Sequence, residues 1–260
     1  MKLNIVSPRA GVSWVYAGMR IFGRQPLAMG GLFFMFMTGL SLVALLPLVG
    51  GLLAMVLVPA ATLGLMEASK EVQAGRFPMP SCLIAAFRQG SQASRAMLTL
   101  GMFYAMAVMG VVAASALLDG GQFAQFYVQG GGLTGELLMD PQFRNALWVS
   151  TLLYLPVSLA FWHAPALVHW HGVPPVKSLF FSFVAMVRNM PAFLLYGVLW
   201  VLMSFAGGLA LLMLTAMSGN TAIATYGLLP MALMVAAMFF SSLWFTYRDC
   251  FLDEPEALGN

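Results

Sequence analysis

All three histidines of the chain fall in one stretch, LAFWHAPALVHWHGVPP, as His163, His169 and His171. Imidazoles grouped in this way suggest metal binding, haem ligation or proton transfer. Helical geometry weakens the first of these. His169 and His171 point about 200° apart, and His163 and His171 differ by about 80° and about 12 Å along a regular helix. Zinc takes its ligands at about 2 Å, so a straight helix does not gather these three unless Pro165 and Gly172 bend it. A haem needs an axial histidine, often two from different helices, and no other apolar span carries one. The plainer reading makes His163, His169 and His171 interfacial polar residues beside Trp162 and Trp170, in an aromatic belt at the cytoplasmic end of a span. On that reading no metal and no cofactor is expected.

Glu67 is the acidic residue nearest an apolar span, and an intramembrane carboxylate is a functional candidate by default. Lys70 follows three residues later, so an ion pair at the membrane boundary is expected instead. No carboxylate lies between Glu71 and Asp119 or between Asp140 and Asp249, which argues against a proton relay. Methionine is abundant at 21 residues, and Met35/Met37 and Met231/Met234/Met238 are clustered. Soft-metal transport is one reading; gap filling between helices is the plainer one. Carboxylate pairs occur only in an outer loop and the tail. No phosphate-binding loop, dinucleotide fingerprint or HExxH is present, so an enzyme is not favoured.

The elements that would carry these residues are set by composition. The chain is 61% hydrophobic and 8% charged over 260 residues, with a mean hydropathy of +0.87. A soluble domain carries about 25% charge, so the class is integral membrane. No run of like charges suggests nucleic acid. The leader MKLNIVSPRAG lacks an apolar core, so the first span is expected to act as the targeting signal. Cys82 and Cys250 are expected to be free thiols on the cytoplasmic side.

Charge-free runs locate the spans at about 27–47, 51–69, 96–118, 146–168, 191–216 and 224–246, each near the roughly 20 residues a bilayer requires. Pro59, Pro156, Pro165 and Pro230 lie inside them. Ala107, Gly110 and Ala114 are small residues at helical spacing, expected to admit a neighbouring helix. Three amphipathic segments precede pairs of spans. In the first, from Val12 to Arg24, Ser13, Ala17, Arg20 and Arg24 oppose Val15, Met19 and Phe22, with Trp14 and Tyr16 placed at headgroup depth. The second runs from Ser81 to Gln89. In the third, Lys177, Ser178, Ser182, Ala185, Arg188 and Asn189 share about 140° of arc, and Phe180, Phe183, Val184, Met186 and Val187 cover the rest, with Phe181 the single misfit. Each segment ends on arginine and an amide: Arg24-Gln25, Arg88-Gln89 and Arg188-Asn189.

The expected fold is therefore an all-α membrane protein in one transmembrane domain. Six transmembrane helices form three two-span pseudo-repeats, each preceded by a cytoplasmic amphipathic interfacial helix. The repeats cover about 12–77, 78–173 with a Gly-rich loop at 119–144, and 174–250. A loose polar tail follows at 251–260. Eleven of the twelve Lys and Arg residues lie on one side of this arrangement, Arg144 being the exception. The positive-inside rule puts both termini in the cytoplasm and the loop outside.

The FGRQPLA opening, GLMEASKEV, and APALVHWHGVPPVKSLFFSF leading to VRN resemble an uncharacterised family of proteobacterial multi-pass inner-membrane proteins, over nearly the whole chain. The resemblance implies a bacterial cytoplasmic membrane and six spans, and brings no activity. Alternating amphipathic and paired membrane helices are also similar, in architecture only, to membrane domains that accompany lipid-processing proteins. The favoured function is a non-enzymatic scaffold, accessory subunit or lipid-associated membrane organiser. The alternatives are a small-solute transporter or channel between the repeats, and an enzyme or metal site at the histidines. The expected partners are the bilayer, anionic headgroups met by Arg20, Arg24, Arg88, Lys177 and Arg188, and a membrane-protein partner or a second copy of the chain.

Overall fold

Proline is the first or second residue of five of the α-helices, where its missing N–H costs nothing and its fixed φ suits the first turn. The computed structural model describes residues 1–129 and 139–252. Its helices are α1 (Ala10–Arg24), α2 (Pro26–Ala44), α3 (Gly50–Gln73), α4 (Ser91–Asp119), α5 (Gln122–Gln129), α6 (Pro141–Phe161), α7 (Ala164–His171), α8 (Pro175–Arg188), α9 (Met190–Ser218) and α10 (Ala222–Cys250), with a 3-10 helix at Pro80–Phe87. Two short strands, β1 (Lys2–Leu3) and β2 (Phe251–Leu252), pair antiparallel. Six segments are long and apolar enough to cross a membrane: α2, α3, α4, α6 with α7, α9 and α10. The protein is an all-α, six-span membrane protein.

The chain divides into two compact units. The first comprises Met1–Met37, Ala61–Ala86 and Ala185–Asn260. Here α1 is wedged against α9 and α10. Its buried face is Gly11, Trp14, Val15, Gly18, Ile21 and Phe22, a helical stripe. The approach is close enough to need glycine. A Cβ on Gly18 would lie 2.5 Å from that of Ser242, and one on Gly11 would collide with the carbonyl of Ala192. Trp14, expected at headgroup depth, is instead 1% exposed, with its ring 4.9 Å from Phe193; Tyr16 remains exposed. Aromatic contacts continue from Tyr196 and Trp200 to Phe239 and Phe240. The 3-10 helix replaces the expected amphipathic α-helix of Ser81–Gln89. Pro78, Pro80 and Gly90 bracket the stretch, in which Cys82 and Ala86 are buried and Ile84 is exposed. Gly64 of α3 sits directly beneath it, 2.6 Å from a would-be Cβ to Leu83 Cα.

The second unit comprises Thr38–Ala60 and Phe87–Val184. Its centre is the pair α4 and α6, linked by a hydroxyl contact of 2.9 Å between Tyr104 and Tyr154. The close helix approach expected at Ala107, Gly110 and Ala114 occurs elsewhere. Gly110 has open space around it, whereas a Cβ on Gly101 would strike the carbonyl of Val56. Asp119 was expected in the loop; it ends α4, buried, and accepts from the N–H groups of Gly121 (2.9 Å) and Phe123 (2.6 Å) to start α5. Asp140 caps α6 through Gln142 N–H. The rest of the Gly-rich loop, 130–138, lies outside the described residues, as does the tail from 253.

The start of that tail is not loose. Tyr247, Cys250 and Phe251 are buried, and β2 is paired. The cysteines are free thiols, both buried.

Candidate functional site

The histidine stretch is built on a broken span. Pro165 lies inside the fourth span, as expected, but in the first turn of α7, because the helix is interrupted at Trp162 and His163 and restarts there. Ser182 of α8 bridges the gap. Its hydroxyl accepts from His163 N–H (2.9 Å) and donates to the carbonyl of Leu159 (2.9 Å). Two backbone groups left over by the break are thereby satisfied. Gly172, with φ of 62°, ends α7 in the left-handed region that glycine adopts without strain.

His163 is fully enclosed at 0% exposure and His169 is buried, while His171 is half-exposed. Of the three imidazoles, only His171 is more than marginally open to its surroundings. His169 Nε2 lies 3.1 Å from Gln89 Nε2, so the amide following Arg88 meets the histidine stretch. Among the described residues, no three His, Cys, Asp or Glu side chains stand close enough to hold a metal.

Glu67 pairs with Lys70 at 3.8 Å, the local contact expected from their spacing. One helical turn on, Arg76 Nε meets Glu71 Oε2 at 2.5 Å and Nη2 meets Oε1 at 2.8 Å. The bidentate bond to Glu71 raises the already high pKa of Arg76. Arg20, Arg24, Arg88, Lys177 and Arg188 are all exposed, and none joins an ion pair among the described residues.

Helix α8 holds a feature that the helical wheel described without its direction. The stripe of Ser178, Ser182, Ala185 and Asn189 is buried in the protein. Val176, Phe180, Phe183 and Val187 face outward, with Phe180 63% exposed. The amphipathicity is inside out for a helix in water, and Lys177 and Arg188 stand at its two ends.

Asn189 and Asp249 organise contacts that sequence reasoning missed. Asn189 Oδ1 accepts from Val6 N–H (2.8 Å), and its Nδ2 donates to the carbonyls of Ala185 (3.0 Å) and Asn4 (3.1 Å). Asp249 accepts from the Trp14 indole through Oδ2 (2.9 Å) and from Arg248 Nε through Oδ1 (2.7 Å). The recurrent arginine-amide pair was the available signal for Asn189. Nothing local to Trp14 pointed to a residue 235 positions away.

Six helices long and apolar enough to cross a bilayer define a multi-pass membrane protein. Across 261 aligned positions the chain is 38% identical to a probable inner membrane protein of Burkholderia thailandensis, with 99% of this chain and 97% of the relative covered. The chain belongs to that family of multi-pass inner-membrane proteins, and its location is the inner membrane. No family model matches the chain, and no solved structure does.

Proposed function

We propose that the protein is a lipid-associated organiser of the cytoplasmic leaflet, holding anionic headgroups against its surface helices. The outward phenylalanine face of α8 between Lys177 and Arg188 carries this reading. In water such a face would be a liability. At the interface it sinks into the acyl boundary while the flanking cations meet phosphates. Arg20, Arg24 and Arg88, also without acidic partners among the described residues, extend the same chemistry to the other two junctions. The three arginine-amide junctions further support the reading of three two-span repeats, each with its surface helix on the cytoplasmic side. Between spans that return the chain to one side, the cations accumulate on that side, as the positive-inside bias requires.

Each surface cation contributes about 1 kcal/mol toward anionic lipid. The double variant Lys177→Gln/Arg188→Gln should therefore retain anionic lipid about tenfold more weakly or worse. Purification in mild detergent from membranes containing phosphatidylglycerol and phosphatidylethanolamine, followed by native mass spectrometry, reads this directly. Retention of both lipids in equal measure by wild type, or the same retention by the variant, would sink the proposal.

A further inference from the structure

Carboxylates are scarce on the side of the chain ends, and each described one is taken. In a six-span path that side holds Glu67, Glu71, Asp249 and the acidic residues of the tail, Asp253, Glu254 and Glu256. Glu67 pairs with Lys70 at 3.8 Å, Glu71 with Arg76 at 2.5 Å and Asp249 with Arg248 at 2.7 Å. These use three of the eleven Lys and Arg residues of that side, and the other eight join no ion pair among the described residues. Three of the eight flank one point, the Asn189 amide. Asn189 accepts from Val6 N–H at 2.8 Å, donates to the Asn4 carbonyl at 3.1 Å, and its Nδ2 lies 3.6 Å from Cys250 Sγ. Arg188 precedes it directly. Lys2 is paired across the sheet with Leu252, the last described residue. Arg9 is the N-cap of α1, whose Gly11 closes on the carbonyl of Ala192, three residues past Asn189. The side chains of Lys2, Arg9 and Arg188 are all exposed.

Like charges gathered in this way repel one another unless an anion meets them. The tail leaves the fold at this same point. Phe251 is buried and Leu252 is held on Lys2, so residue 253 starts beside the three cations. The eight residues from Asp253 to Asn260 reach at most about 29 Å. They place three carboxylates within four positions, opposite three cations. Exposed ion pairs are individually weak, but a tethered segment acts at an effective concentration of about millimolar. We propose that the surface formed by Lys2, Arg9 and Arg188 is a docking site for the chain's own acidic tail. Asp253, Glu254 and Glu256 dock there and compete with anionic headgroups for Arg188. The docking stands by itself; the competition rests on the lipid reading proposed above.

The test uses the full chain in phosphatidylcholine nanodiscs. Spin labels are placed at Ser7→Cys, exposed between Lys2 and Arg9, and at Leu258→Cys, in a background without the two native cysteines. Dipolar distances are read at about 0.1 M and about 1 M salt, which cuts the Debye length from about 10 Å to about 3 Å. The expected distance is short and narrowly distributed at low salt. It should lengthen and broaden at high salt, and in the triple variant Asp253→Asn/Glu254→Gln/Glu256→Gln. The unlabelled triple variant should also retain phosphatidylglycerol over phosphatidylethanolamine about fivefold more strongly than wild type, the share of one freed surface cation. A distance unchanged in the triple variant overturns the docking, whatever salt does. A changed distance with unchanged lipid retention overturns the competition. No preference for phosphatidylglycerol in wild type and triple variant alike sinks the lipid reading and the competition with it, and the distances still decide the docking.

Discussion

Asn189 acts through both ends of its amide. One side chain, 1% exposed, satisfies the N–H of Val6, the carbonyl of Asn4 and the last turn of α8. It holds the first residues of the chain in place beside Cys250, whose carbonyl accepts from Asn4 N–H at 2.8 Å. Leaving buried groups unpaired costs roughly 1–3 kcal/mol each, and Asn189→Ala strands at least Val6 N–H. The variant should lose about 2–4 kcal/mol, read as a lower melting temperature in detergent and faster proteolysis near residue 6. Gln89→Ala is the comparison, because Gln89 is exposed and its side chain bonds one ring, His169, among the described residues. A Gln89→Ala loss equal to that of Asn189→Ala would show that burial is not what gives Asn189 its weight. The same logic applies to Trp14. Trp14→Phe keeps the ring packing on Phe193 but removes the donor to Asp249, a charge-assisted bond of about 1.5–3 kcal/mol at most, reduced here because Asp249 is partly exposed.

Among the elements, the spans were legible and the facing of the amphipathic helices was not. A charge-free run of about 20 residues reads as a span whatever it packs against; each observed helix starts a few residues before its expected bound and runs a few past it, except α2, which stops at Ala44 and not at 47. Prolines at 26, 141, 175 and 191 mark true starts. The interruption before Pro165 was not legible, because a proline inside a continuous helix and one at a restarted helix look alike in sequence. The facing of α1 and α8 was illegible for a different reason. In water the apolar side of a helix turns toward protein, but lipid is as apolar as the core, so polar and small residues become the packing side. Helix α8 follows that rule, burying Ser178 and Ser182. Helix α1 buries glycines and aromatics together, and its seating depends on Gly18. Gly18→Val should displace α1 from α10 and cost about 1–3 kcal/mol or more, as overpacking does. Gly23 has nothing within 4 Å of a would-be Cβ. Gly23→Ala should then leave stability unchanged or raise it by up to about 1 kcal/mol, because alanine suits an exposed helix. Chemical unfolding of both variants in the same detergent checks the pair, and equal destabilisation would contradict close packing as the reason for Gly18.

For the molecule as a whole, β1 and β2 impose a constraint that no count of spans supplies. Lys2 pairs with Leu252 and Leu3 with Phe251, so the two ends of the described chain meet on one side of the membrane. An even number of crossings agrees with that pairing, and an odd number would not. That this side is the cytoplasmic one is part of the proposed reading and rests on charge. Arg20, Arg24, Arg88, Lys177 and Arg188 share the side of the termini in a six-span path, and cytoplasmic loops carry the excess of Lys and Arg. The prediction is made with single cysteines in a background lacking Cys82 and Cys250. Arg88→Cys should resist a membrane-impermeant maleimide in spheroplasts and react once the membrane is opened. Gln125→Cys, exposed on α5, should react before opening. A green fluorescent protein fused after residue 260 should fluoresce, and alkaline phosphatase fused there should be inactive. Labelling of Arg88→Cys in sealed spheroplasts would reverse the orientation and, with it, the leaflet assigned to the lipid contacts. It would leave the pairing of the termini untouched, because that rests on backbone hydrogen bonds and not on charge.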